Sequence, residues 1–93
     1  MNIRFTNESD GNGWVTGKVD YNGREYKFTA KVFEEGSIHG INEGRVSKLM
    51  IRNENTTGWY GVFVNYDRGW DIEPETEEQQ DVFINVLEFL HRS

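Results

Sequence analysis

The sequence predicts an α+β fold, an antiparallel sheet of four or five strands with one C-terminal helix packed across one face. Three features predict it: an Asn-Gly turn between two alternating segments, further alternating segments downstream, and a capped amphipathic stretch near the chain end. Ninety-three residues leave room for one core, so residues 1–93 are read as a single domain, with the sheet over about 13–73 and the helix over about 77–91.

Tyr21-Asn22-Gly23-Arg24 supplies the two positive-φ residues that a two-residue type I′ hairpin loop needs. With Tyr21 facing Arg24, Val19 lies opposite Tyr26, Gly17 opposite Phe28 and Val15 opposite Ala30 on one face. The other face takes Thr16 with Thr29, Lys18 with Lys27 and Trp14 with Lys31. A slip of one residue would scramble this segregation, so the turn and the alternation specify the same register. Gly17 leaves space for the Phe28 ring to lie across it.

Ile3-Arg4-Phe5-Thr6 is a short candidate strand, closed by the turn-rich Asn7 to Gly13. Glu34 to Gly44, with glycines at 36, 40 and 44, is the longest irregular segment. Arg45 to Arg52 alternates, with Ser47, Leu49 and Ile51 on one face and Val46, Lys48 and Met50 on the other. Gly58 to Tyr66 places Tyr60, Val62, Val64 and Tyr66 on one side and Trp59, Gly61, Phe63 and Asn65 on the other. Tyr66-Asp67-Arg68-Gly69 fits a type I turn with Gly69 in the left-handed position, leading into a short strand from Trp70 to Glu73. Beyond Pro74, Thr76 and Gln79 form a capping box, and Glu77 and Glu78 occupy the dipole-favoured first turn. Val82, Phe83, Val86, Leu87, Phe89 and Leu90 make one apolar stripe, while Ile84 falls on the polar side.

A mean hydropathy of −0.75 is low, yet the 14% aromatic content and the clear periodicity indicate a folded chain. Zero Cys excludes a disulfide scaffold and a thiolate metal site, and fits a reducing cytoplasm. The opening residues alternate instead of forming a leader, and no run reaches membrane-spanning length, so the expectation is a cytoplasmic protein that starts at Met1 and has no membrane partner. Up to Arg68 nine acids balance nine bases, while from Gly69 onward seven acids meet one base, which places the whole net charge of −6 in the last quarter. Six of those acids lie between Asp71 and Asp81. Such a balance disfavours direct binding to nucleic acid and favours a protein partner with a basic surface.

The candidate partner-binding residues are therefore Asp71, Glu73, Glu75, Glu77, Glu78 and Asp81. Dipole complementarity accounts for Glu77 and Glu78 but leaves Asp71, Glu73 and Glu75 without a local role. A second candidate site, for a small ligand or carbohydrate, collects Trp14, Trp59, Tyr66, Asp67, Arg68 and Trp70, centred on the turn at 65–71. A simpler reading of that turn has Asp67 capping it and Tyr66 and Trp70 packing under the helix. His39 sits in the irregular segment near Glu34, Glu35 and Glu43, but one His with no second nearby makes a poor metal site. No serine has a nucleophile-elbow setting and no glycine pattern forms a phosphate loop, so no enzyme, cofactor or metal is expected. An unpaired sheet edge leaves a monomer or a weak homodimer as the expected states.

Gly40-Ile41-Asn42-Glu43-Gly44-Arg45-Val46-Ser47-Lys48-Leu49 and Asn65-Tyr66-Asp67-Arg68-Gly69-Trp70-Asp71 resemble the motifs of a small uncharacterised domain family of Gram-positive bacteria and their phages. With the hairpin, the resemblance covers most of residues 13 to 74. It transfers no catalytic or binding residues. By analogy it implies the setting of small acidic proteins from mobile elements, which often block host nucleic-acid-binding enzymes by occupying their basic grooves.

Overall fold

The computed structural model of the chain describes residues 1–7, 13–36, 38, 40–54, 56 and 60–92. Six strands run in sequence order across one antiparallel sheet: β1 (Asn2–Asn7), β2 (Trp14–Tyr21), β3 (Arg24–Val32), β4 (Val46–Asn53), β5 (Val62–Asp67) and β6 (Trp70–Ile72). Helix α1 (Glu77–Arg92) packs on one face. The α+β class matches the sequence expectation, but the sheet has six strands instead of four or five, because the N-terminal segment pairs with β2 from Asp20 to Thr16.

The β2–β3 register matches the reading from the Asn-Gly turn pair by pair, from Tyr21 opposite Arg24 to Trp14 opposite Lys31. Asn22 (φ 52°) and Gly23 (φ 76°) are both left-handed, as a type I′ loop requires. A Cβ at position 17 would collide with the Phe28 ring and the Arg4 carbonyl oxygen, so glycine there allows three strands to share one aromatic side chain. β1 is held by its own aromatic: the Phe5 ring packs 4.8 Å from Phe89 of α1 and 6.3 Å from Phe28.

Three register shifts interrupt the simple alternation downstream, the last leaving Asp71 as an extra residue in β6. Val32 pairs with Val46 while Lys31 pairs with Lys48, so Ser47 is an extra residue and Val46 turns into the core instead of sharing a face with Lys48 and Met50. In β5, Ile51 pairs with Val64 and Arg52 with Val62, which leaves Phe63 as the extra residue. Phe63 and Val64 are consequently both buried, and Phe63 packs edge-on to Tyr26 at 5.4 Å. Tyr60, expected beside Val62 and Val64, lies outside the strand and is 85% exposed, while Gly58 and Trp59 fall outside the described residues. The left-handed residue of the next turn is Arg68 (φ 60°) rather than Gly69, and the Arg68 backbone N–H donates to the Ser47 carbonyl at 3.1 Å.

The helix covers the rows built from Val19, Phe28, Ala30, Leu49, Ile51 and Val64 with its buried Val82, Val86, Leu87 and Leu90. Each fully buried aliphatic or aromatic side chain contributes on the order of 1.5–3 kcal/mol. The capping box forms as expected: the Gln79 N–H donates to Thr76 Oγ1, and the Thr76 N–H donates to Gln79 Oε1, each at 3.1 Å. Part of the long irregular segment also belongs to the core, since a one-turn 3₁₀ helix at Ile41–Glu43 buries Ile41. Arg45, two residues past its end, donates from Nη2 to the Leu90 and His91 carbonyls, both at 2.9 Å, and so caps the C-terminal end of α1.

Candidate functional site

The edge of the sheet and the start of the helix meet at β6. Trp70 follows the tight turn and pairs with Tyr66, so its ring lies on the helix side, edge-on to Tyr66 at 5.3 Å and to Phe83 at 5.2 Å. The Trp70 side of this stack stays open at 39% exposure, and Ile84, one turn beyond Gln80, is 49% exposed. Together with Glu73, Pro74 and Phe83, these residues line an open groove of about 400 Å³ between the edge strand and the helix. Its floor is apolar.

The six acids of this end divide into two groups. Asp71, Glu73, Glu75 and Glu77 are exposed, and of these Glu73 lines the groove. Glu78 and Asp81 turn the other way, toward the end of the β2–β3 hairpin. The Tyr26 hydroxyl and Arg24 Nη1 both donate to Glu78 Oε2, the latter at 2.9 Å, and the Tyr21 hydroxyl donates to Asp81 Oδ2 at 3.2 Å. The Tyr26 hydroxyl hydrogen bond, aided by Arg24, holds the Glu78 carboxyl below the usual carboxylate range despite some desolvation. Burial, then the bond to Glu78, pushes Tyr26 up, and the bond to Asp81 does the same for Tyr21. These two acids therefore fasten α1 to the sheet. Composition alone assigned them to a partner surface; the i, i+3 spacing of Glu78 and Asp81, which puts both on one helix face, was the available signal for their inward role.

The residues of the expected ligand site converge only in part: Trp14, Tyr66 and Asp67 line one cleft, while the Trp70 ring lies on the helix side. Tyr66 and Asp67 are consecutive in β5 and point to opposite faces, Tyr66 toward α1 with Trp70 and Asp67 toward the open face, where it pairs with Lys48 at 3.6 Å. Trp14 belongs to that open face, Arg68 lies at the exposed tip of the turn, and Trp59 and His39 lie outside the described residues.

Residues 13–91 match the model of a family described as Domain of unknown function (DUF7678). The chain belongs to the DUF7678 family. The DUF7678 match spans the hairpin, both fastenings of the helix and the Trp70 groove, while β1 lies outside it. No curated protein and no solved structure matches the chain. Among the described residues, no helix is long and apolar enough to cross a membrane.

Proposed function

We propose that this DUF7678 protein is a non-enzymatic protein-binding module that docks through the β6–α1 edge onto a partner with a basic surface. The observation that carries the reading is the open Trp70–Ile84 groove with Glu73 in its wall, on a β6–α1 segment that also exposes Asp71, Glu75 and Glu77. Tryptophan is enriched among binding hot spots, and a one-signed charged segment beside it steers and orients a partner of opposite charge. Glu78 and Asp81, engaged by the hairpin, contribute by setting the helix in place. The resemblance to Gram-positive and phage sequences makes a host nucleic-acid-binding enzyme, blocked at its basic groove, the most specific form of this proposal.

The test is affinity capture from a Gram-positive bacterial lysate with three baits: the wild type, Trp70→Ala, and a variant with Asp71, Glu73, Glu75 and Glu77 changed to Lys. Glu78 is left intact so that the helix stays docked. A basic protein retained by the wild type, released by moderate salt and lost with both folded variants is the expected result. Equal retention by all three baits would overturn the assignment.

A further inference from the structure

The uncovered face of the sheet has a charge pattern opposite to that of the β6–α1 edge. Six of the ten basic residues lie on it, in two rows set by strand register. Arg4, Lys18, Lys27 and Arg52 stand side by side across β1 to β4, and Lys31 faces Lys48 further along the strands. Like charges directly opposite one another weaken a sheet, so Lys18 against Lys27, Lys27 against Arg52 and Lys31 against Lys48 are not explained by stability. Asp20, Glu54 and Asp67 pair with Arg4, Lys18 and Lys48 at 3.0, 3.2 and 3.6 Å, and Glu25 adds a fourth acid, which still leaves the face net positive.

Between the rows lies a neutral band of Thr16, Thr29, Met50 and Asn65. Thr29, Met50 and Asn65 of this band line an open cleft of about 370 Å³ bordered by Trp14, Lys48 and Asp67. Trp14 is 38% exposed, and the ammonium groups of Lys31 and Lys48 each sit 5.7 Å from its ring centroid. Lys31 is four residue steps along the strand from Lys27, so the two cationic rows are roughly 13 Å apart. We propose that this face binds single-stranded nucleic acid, with phosphates on the two lysine and arginine rows and a base lodged between them against Trp14. The Asn65 amide and the Thr29 hydroxyl offer donors and acceptors to the base edge, and Lys31 can turn from the indole to a phosphate, while Lys48 would exchange its ion pair with Asp67 for one. An acidic polypeptide would satisfy the rows but would leave the indole and the polar cleft without a role. The near-balance of charge in the first 68 residues conceals this segregation, which appears only when the strands are set in register.

Fluorescence anisotropy with a labelled 15-nucleotide oligo(dT) and oligo(U), over a series of salt concentrations, tests the proposal. Binding should weaken with salt at a log–log slope of about −2 to −3, the value for three or four phosphates on a single strand. Trp14→Ala should cost about five- to a hundred-fold and Trp14→Phe much less, since stacking needs only an aromatic face. Lys27→Glu with Lys31→Glu should abolish binding; the milder Lys27→Gln with Lys31→Gln should weaken it if the glutamates disturb the sheet. Unchanged affinity in Glu73→Lys separates this face from the β6–α1 edge. No binding at 50 mM salt, indifference to Trp14→Ala, or equal competition by polyglutamate would each overturn the proposal.

Discussion

The two ends of α1 are fastened to the sheet by different chemistry. At the N-terminal end, ionisable side chains do the work: Glu78 and Asp81 receive bonds from Tyr26, Arg24 and Tyr21 at the tip of the hairpin. At the C-terminal end Arg45 reaches backbone carbonyls, which do not titrate, and Leu90 lies fully packed beside them. The side-chain fastening at one end consequently depends on pH, whereas the Arg45 bonds to carbonyls at the other involve no titrating acceptor. The sensitive end is the one that carries the Trp70 groove, so conditions that loosen the helix start should affect the proposed partner surface first.

The largest effect belongs to the C-terminal end. Leu90→Ala should lower stability by about 2–5 kcal/mol, measured by urea denaturation, because it empties a site that is 1% exposed. Arg45→Ala should cost about 1–2 kcal/mol by uncapping the Leu90 and His91 carbonyls. Hydrogen exchange should place that loss in the last helical turn, and a loss confined to the first turn would contradict the division of roles. At the other end, Thr76→Ala should cost about 1 kcal/mol, with faster exchange at Gln79.

The smallest effect at neutral pH is the most discriminating. Glu78 is held below the usual carboxylate range, so its contribution is complete above the unfolded value and is lost as pH falls through the folded one. Tyr21 and Tyr26 are pushed up, so theirs is complete below the ordinary tyrosine value of about 10 and is lost as pH rises beyond it. Urea midpoints should therefore decline below about pH 5 and above about pH 10. Glu78→Gln should flatten the acid limb, and parallel curves for wild type and variant would remove Glu78 from the fastening.

Legibility in the sequence followed the range of the interactions. The β2–β3 register and the helix start were readable because Asn22-Gly23 and Thr76 with Gln79 act within a few residues. The bulges at Ser47 and Phe63 were not, since an extra residue changes facing without changing composition, and only the partner strand reveals it. Arg45 stands 45 positions from Leu90, and Tyr26 stands 52 from Glu78, so neither fastening leaves a local pattern. The exposed acids of the edge and the outlying Ile84 were visible in advance, but that Trp70 completes a groove with them depends on where β6 joins the sheet.

The strict neighbour-to-neighbour order of the sheet has a kinetic side. Each strand finds its partner within the next stretch of chain, so the sheet assembles through short loop closures, which are the fast ones. Docking of α1 onto β2 and β3 spans more than 50 residues, a far longer closure than any between neighbouring strands among the described residues. A helix that joins last adds its hairpin contacts after the barrier. Those contacts then govern mainly how long the folded edge persists, and hardly at all how quickly it forms.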